Sequence, residues 1–172
     1  MALTSELEEY NRNWPELFEM EKSCLLPICN SDLIAIHHVG STAIPGMLGK
    51  PEIDILVILR KEADFPVYFP KIEALGYNFR GEEPGEPRHW YFSKNQNGKR
   101  THKLHLCDPD HNCVDDQLIF RDYLRRNSDR ALAYRNLKEL LAKTNSKGMV
   151  EYLAKKSPFI QETLSLARAL RG

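Results

Sequence analysis

The sequence predicts one α/β (α+β) domain in which helices flank a β-sheet and the last third of the chain is helical. The first two-thirds mixes strand-like apolar runs with helical patterns, whereas the residues after Asp108 show helical spacing throughout. The chain has 172 residues, 42% of them hydrophobic, which suits a single core. No repeat, low-complexity tract or Gly/Ser linker divides it, so we expect one domain over residues 1–172.

Charge and apolar content exclude several classes of function. Lys and Arg number 24 and Asp and Glu also number 24, so the formal net charge is zero and general nucleic-acid binding is not expected. The apolar runs are far shorter than the roughly 20 residues that cross a bilayer, so no membrane association is expected. The polar N-terminus lacks the apolar core of a signal peptide, which predicts a cytoplasmic protein whose four cysteines are reduced.

The N-terminal half predicts a helix and two strands. Pro15 suits the first turn of a helix whose apolar positions include Leu25. Leu33–Val39 is rich in apolar and β-branched residues and stops at Gly40, which indicates a strand followed by a tight turn. Ile53–Leu59 is almost uninterrupted in its apolar character, as is typical of a strand covered on both faces.

The middle of the chain predicts a short helix and a three-stranded region. Residues 71–75 end a helix with Gly76 as its C-cap. Strands are expected over residues 77–80, 89–94 and 101–107. Residues 95–98 (NQNG) supply a hairpin turn, and residues 81–87 (GEEPGEP) predict a mobile surface loop.

Three helices are expected in the last third. Asn112 and Asp115 resemble a capping box that starts the first of them, and Ser128 caps the second. The third runs from Met149 past Pro158. The short links between them predict that the helices pack antiparallel and against one side of the sheet.

The segment between the first two strands carries the pattern that indicates chemistry. Gly40 has no Cβ, so its backbone can approach a ligand closely. Ser41 and Thr42 offer hydroxyl groups and backbone N–H groups at the expected start of a helical turn. Free amides and the helix dipole attract phosphate at such a position, so a phosphate site is predicted here.

Two acids open the second strand. Glu52 and Asp54 are two residues apart, so both side chains point to the same face. They repel each other unless a cation lies between them, and Mg²⁺ or Mn²⁺ is the expected one where a phosphate supplies further oxygens. Lys50 is placed to contact that phosphate. Solvated edge charge is the alternative, but four large apolar residues follow Asp54 directly, which disfavours it.

Four motifs together resemble the GrpB family, also called UPF0157. They are HVGSTAIPG at residues 38–46, KPxIDILV at 50–57, THxLHL at 101–106 and FRDYL at 120–124. The resemblance extends over about residues 14–160 and implies the nucleotidyltransferase superfamily, with the mixed sheet of DNA polymerase beta. Members of this family also occur fused to dephospho-CoA kinase.

This resemblance implies metal-dependent transfer of a nucleoside monophosphate from an NTP to an unknown acceptor. Gly40 and Ser41 match the turn that holds the triphosphate. Glu52 and Asp54 match the two acids that bind Mg²⁺, although the superfamily usually has Asp at the first of them. Arg121 and Lys138 recur in the family pattern and are expected to contact phosphate.

The superfamily's third acid lacks a counterpart here. The strand expected at residues 101–107 carries histidines instead, and His105 is the candidate for a neutral base or metal ligand. Loss of catalysis is therefore an alternative, leaving a nucleotide- or CoA-precursor-binding module that assists a partner such as dephospho-CoA kinase. A metal-dependent phosphohydrolase is a third possibility, with water as the acceptor.

A cluster of histidines and cysteines raises the separate question of zinc. The possible ligands are His102, His105, Cys107, His111 and Cys113. Their spacing fits none of the usual zinc modules, and one strand places His102 on the face opposite His105 and Cys107. A zinc site is the less favoured interpretation of this segment.

Overall fold

The computed structural model describes residues 7–144 and 148–170 and contains a five-stranded sheet with helices on both faces. The strands are β1 (Leu33–Val39), β2 (Ile53–Leu59), β3 (Tyr77–Glu82), β4 (His89–Gln96) and β5 (Lys99–Cys107). The helices are α1 (Trp14–Cys29), α2 (Phe69–Glu73), α3 (Asn112–Arg126), α4 (Ser128–Thr144) and α5 (Met149–Ala169). The predicted α/β class is confirmed.

The sheet is mixed and its strand order is β1-β2-β5-β4-β3. β2 and β5 run parallel, and every other neighbouring pair is antiparallel. Asp54 lies in register with Val39 on one side and Lys103 on the other. Residues in register share a face of the sheet, so Asp54 and Lys103 point the same way, as does His105 two residues further along β5.

Each face of the sheet buries a separate part of the core. On one face, Trp14 and Leu25 of α1 pack with Ile55 of β2 and Leu104 of β5. On the opposite face, Leu56 belongs to a smaller cluster that includes Val114 of α3. β2 therefore contributes buried side chains to both faces, which explains its continuous apolar sequence.

The C-terminal helices only partly follow the predicted packing. α3 lies against the sheet, but Leu164 of α5 packs on Ile119 of α3, and Tyr134 of α4 packs on Ile44 in the β1–β2 connection. α5 is one helix that continues through Pro158. Within the two described ranges, no helix has the length and apolar character needed to cross a membrane.

Strand ends and helix caps differ from the sequence prediction. The C-cap of α2 is Ala74, where Gly76 was predicted. The turn between β4 and β5 is shorter than the predicted residues 95–98: only Asn97 (φ 52°) and Gly98 (φ 75°) connect the strands, as in the hairpins that Asn-Gly favours. β3 extends to Glu82, which shortens the predicted loop. The N-cap of α3 is His111, whose Nδ1 accepts a hydrogen bond from the amide of Cys113.

Candidate functional site

The turn after β1 brings the backbone of Gly40 against the carboxyl group of Asp54. Gly40 has φ +71°, and a Cβ added to it would lie 2.1 Å from Asp54 Oδ2. A glycine is required here for two reasons, because L side chains rarely adopt this φ and because the carboxyl group fills the space. The carboxyl group of Asp54 therefore faces the Gly40–Ser41 corner.

The two hydroxyl groups after Gly40 have different surroundings. Ser41 Oγ accepts a hydrogen bond from Lys138 Nζ at 2.7 Å. Thr42 is buried, and its Oγ1 donates to the carbonyl of Glu52 at 3.1 Å and lies 2.9 Å from His38 Nε2. The Thr42 hydroxyl thus joins the end of β1 to the start of β2. This use differs from the predicted phosphate contact, which the Ser41 hydroxyl is better placed to make.

Asp54 lies in a cleft of about 360 Å³ that is rich in positive charge; we call it the Asp54 cleft. Its cationic lining residues are Lys50, Arg100, Lys103, Lys138 and Lys156. Three acids, Glu52, Asp54 and Glu83, also line it. A chain with no net charge therefore concentrates an excess of positive charge at one place, which favours a multiply charged anion there.

Burial makes this charge cluster energetically costly in the absence of a ligand. It raises the pKa of Asp54, an effect that Lys103 opposes. It also lowers the pKa of Lys138 to about 7, with Lys156 acting in the same direction, and it lowers the pKa of Lys156 and Lys50. Each group thus has a pKa displaced toward its neutral form. A bound anion would shift the lysine pKa values back up, and a bound cation would shift that of Asp54 back down.

Glu52 is neutralised by an arginine. Its carboxylate accepts two hydrogen bonds from Arg100, from Nε at 2.9 Å and from Nη2 at 3.3 Å, and only 6% of its side chain is exposed. Arg100 Nη1 also donates to the hydroxyl of Tyr91 at 3.0 Å. The sequence-based prediction placed a cation between Glu52 and Asp54 and did not include an arginine. In the structure, Arg100 of β5 supplies a positive charge to Glu52.

Arg100→Met is expected to destabilise the chain by about 2–4 kcal/mol, because it leaves a buried carboxylate without a partner. Combining it with Glu52→Gln should recover most of that loss. Urea unfolding of both single variants and the double variant measures the coupling. Equal stability of wild type and Arg100→Met would show that the ion pair does not compensate the burial of Glu52.

A second cleft, of about 310 Å³, meets the first at Ser41, Asp54 and Lys156. Its wall includes His105, and its apolar lining residues are Phe120, Tyr134, Ile160 and Leu164. Asp54 thus lies between a cationic cleft and a second cleft lined by four aromatic or aliphatic side chains.

His105 reaches this second cleft as a neutral side chain. Burial, with help from His89, lowers its pKa to about 3, and its Nδ1 lies 2.8 Å from His89 Nε2. It is therefore neutral near pH 7, whereas the sequence-based prediction relied on a histidine that titrates near the working pH. A general base works best with a pKa near the working pH, however, so this environment disfavours the predicted role as a base.

The structure brings together most of the predicted site residues and leaves one outside. Arg121 lines neither cleft: its guanidinium donates to the carbonyl of His38 at 2.9 Å and to Asp122 at 2.7 Å. Arg121 therefore holds α3 against β1 and does not contact the cleft. Conversely, sequence reasoning missed Arg100, Lys103 and Lys156. For Lys103 a signal existed, since it alternates with buried Leu104 and shares a strand face with His105.

Comparisons with known proteins identify the family. The sequence profile described as "GrpB protein" matches residues 4–166. The UPF0157 protein YqkA of Bacillus subtilis is 37% identical over 88% of this chain, which spans only 44% of that protein's length. The crystal structure of the conserved protein GrpB from Enterococcus faecalis has a TM-score of 0.84 at 33% sequence identity, covering 94% of this chain and 96% of that one.

More distant structures place the fold in a wider group. The Cid1 poly(U) polymerase, in its H336N form bound to MgATP, has a TM-score of 0.54 at 13% identity, over 80% of this chain and 46% of the polymerase. At that identity the likeness concerns the fold alone. These matches establish that the chain belongs to the GrpB family and has a nucleotidyltransferase-like fold.

Proposed function

We propose that this chain binds a nucleoside triphosphate with Mg²⁺ in the Asp54 cleft and transfers the nucleoside monophosphate to an acceptor oxygen. The observation that carries the proposal is the carboxyl group of Asp54, which faces the Gly40–Ser41 corner inside a cleft with five cationic side chains. A triphosphate supplies the negative charge that this lining favours. The adjoining cleft offers Phe120 and Tyr134 as apolar surface for a base or an acceptor.

Asp54 fits the role of metal ligand. Burial disfavours its charged form, and among residues 7–144 and 148–170 no side chain donates a hydrogen bond to its carboxylate. Glu52 would join it only after Arg100 releases its carboxylate. When bound, Mg²⁺ or Mn²⁺ supplies stabilisation of the charge on the α-phosphoryl group.

The remaining roles are assigned to protein groups. Lys138 and Ser41, already joined by a hydrogen bond, would hold the β- and γ-phosphates from the side of α4. Lys103 and Lys156 would neutralise the phosphates from β5 and α5. His105, neutral and in contact with His89, would orient the acceptor in the second cleft.

A second candidate, a nucleotide- or CoA-precursor-binding module without catalysis, is favoured by a different observation. Glu52 is engaged by Arg100, and Lys103 lies in register with Asp54 on the strand where the superfamily's third acid is expected. Of the two acids that match the metal ligands of the superfamily, only Asp54 is thus left for a metal. Such a module could assist a partner, and dephospho-CoA kinase remains the predicted one.

Release of pyrophosphate separates the two candidates. Each of the four NTPs is incubated with Mg²⁺, the chain and a set of hydroxyl-bearing acceptors, and pyrophosphate is measured. Transfer predicts pyrophosphate that depends on the acceptor. Release of orthophosphate alone would indicate the phosphohydrolase, and binding without any release would indicate the non-catalytic module.

Triphosphate binding is expected to take up a proton at pH 8. Lys138 has a pKa of about 7 because it is buried next to Lys156, so at pH 8 it is mostly neutral. A bound polyanion raises that pKa, and the proton comes from the buffer. Affinity should therefore fall as the pH rises from 7 to 9, by at most about tenfold per pH unit for each lysine that titrates.

Calorimetry of tripolyphosphate binding in buffers of different ionisation enthalpy measures this proton uptake. Lys138→Met should reduce both the uptake and the affinity. Lys143→Met is the matched control, since Lys143 lies on the same helix but is exposed and paired with Glu139. Uptake that is unchanged in Lys138→Met would remove Lys138 from the phosphate site.

A further inference from the structure

A second group of chemically reactive side chains lies on the same face of the sheet, beyond His105. Its members are His89, Cys107, His111 and Cys113. One ligand atom from each, a ring nitrogen or a sulfur, lies within 4.8 Å of all the others. His89 comes from β4, Cys107 from β5, and His111 and Cys113 from the start of α3.

We propose that these four side chains form a structural zinc site that fastens the N-terminus of α3 to strands β4 and β5. Nothing in the proposed nucleotide chemistry requires this site, and none of its four residues lines the Asp54 cleft or the second cleft. The proposal concerns a metal of a different chemical class from the Mg²⁺ expected at Asp54.

The ligand set and the spacing both favour zinc. Two thiolates and two imidazoles are the donors of tetrahedral zinc sites, whereas Mg²⁺ and Ca²⁺ prefer oxygen. Bond lengths of about 2.3 Å to sulfur and about 2.0 Å to nitrogen place tetrahedral ligand atoms about 3.3–3.8 Å apart. The observed limit of 4.8 Å and the 3.0 Å between the two sulfur atoms require only small side-chain shifts to reach that geometry.

The surroundings already resemble those of bound ligands. His89 Nδ1 lies 2.6 Å from Glu86 and its Nε2 lies 2.8 Å from His105 Nδ1, so one ring nitrogen keeps a partner when the other binds metal. Histidine ligands usually have such a second hydrogen bond. Cys113 lies in the first turn of α3, where the helix dipole favours a thiolate.

A path for the metal is present. His111 and Cys113 line a cleft of about 420 Å³ at the surface and are only partly buried, whereas His89 and Cys107 are buried behind them. The two partly buried ligands therefore face the solvent from which zinc would enter.

This set shares Cys107, His111 and Cys113 with the possible ligands named from the sequence and differs from them in the remaining residue. As predicted, His102 lies on the face of β5 opposite to His105 and Cys107. Its Nε2 is 3.9 Å from Glu21 Oε1. The fourth ligand is His89, which β4 places in register with Cys107. His105 contacts His89 and is not a member of the group.

The test is the zinc content of the full chain, purified under reducing conditions and dialysed, measured by plasma mass spectrometry. We expect about one zinc per chain in the wild type, as in structural sites of this donor set, and background levels in Cys113→Ser and His111→Gln. Cys24→Ser is the matched control and should keep its zinc, because Cys24 is an exposed thiol on α1. Equal zinc in wild type and Cys113→Ser would identify an adventitious ion and overturn the proposal.

Cobalt substitution of the wild type gives an answer that does not depend on how the variants fold. After zinc is removed by a chelator, Co²⁺ should produce the intense visible d–d bands of a tetrahedral site, together with thiolate-to-metal charge transfer in the near ultraviolet. A weak octahedral spectrum would overturn the proposal. So would two titratable thiols in place of four in denatured protein that was purified without a reducing agent, since that result assigns a Cys107–Cys113 disulfide instead.

Discussion

Asp54→Asn is expected to abolish the stabilisation that an NTP with Mg²⁺ gives the wild-type chain. The amide keeps the shape of the side chain but carries no charge to hold a metal beside the Gly40–Ser41 corner. At ligand concentrations of about 100 times Kd the wild type should gain about 2.7 kcal/mol, whereas the variant should gain almost nothing. The melting temperature with and without NTP and Mg²⁺ measures the difference, and pyrophosphate release should disappear with it.

The same substitution should slightly raise the melting temperature of the ligand-free chain at pH 7. Burial raises the pKa of Asp54, so the folded chain binds this proton more tightly than the unfolded chain does. The ionised carboxylate therefore lowers stability at pH values above the folded pKa, and that cost disappears as the pH falls through it. Asp129→Asn is the control, since Asp129 is an exposed acid at the start of α4. An Asp54→Asn variant that binds NTP and Mg²⁺ as the wild type does would exclude Asp54 as a ligand.

Gly40→Ala is expected to cost about 2–4 kcal/mol of unfolding free energy and to abolish triphosphate binding. Its methyl group would lie 2.1 Å from Asp54 Oδ2, and the residue has φ +71°. The carboxyl group must move away or the turn must change its backbone conformation. Either change separates Asp54 from the corner that is proposed to hold the phosphates.

Gly46→Ala separates the effect of backbone strain from the effect of the contact with Asp54. Gly46 also has a positive φ, +75°, but a Cβ there meets no atom within 4 Å. We expect only the backbone strain, about 1–2 kcal/mol, with binding retained. Denaturant unfolding and NTP titration of both variants provide the comparison. Equal losses in the two variants would show that contact with Asp54 contributes nothing at Gly40.

The Gly40–Asp54 corner was predictable because it depends on local rules. A strand that stops at Gly40 and a second strand that starts at Ile53 are joined by a short link, and the two-residue period fixes the side to which Asp54 points. The family resemblance placed Lys138 in the phosphate site, and the structure sets its Nζ 2.7 Å from Ser41 Oγ.

The partners of that corner depend on long-range packing, which local rules do not reach. Arg100 is 48 positions from Glu52 in the sequence, and Lys156 belongs to a helix that packs on α3. The prediction that Arg121 contacts phosphate failed for the same reason. The elements against which a helix packs decide where its charged side chains point, and the sequence does not show them.

His89 shows how one irregularity changes which residues lie opposite each other. A hairpin that turns at Asn97-Gly98 and keeps the register of Asn95 with Arg100 would set His89 opposite Leu106. The register shifts between Lys94 and Asn95, so His89 lies opposite Cys107 instead. Successive residues of a strand point to opposite faces, so a register shift of one residue places His89 on the face of Cys107 and not on that of Leu106. No feature of the sequence predicts this bulge.

Calorimetric titration of the wild-type chain with each NTP, with and without Mg²⁺, tests the central claim most directly. The account predicts saturable binding of one triphosphate per chain that is stronger with Mg²⁺ and is competed by tripolyphosphate, because the cationic residues of the Asp54 cleft recognise the phosphates. Heats that show no saturable binding for all four NTPs in the presence of Mg²⁺ would contradict it.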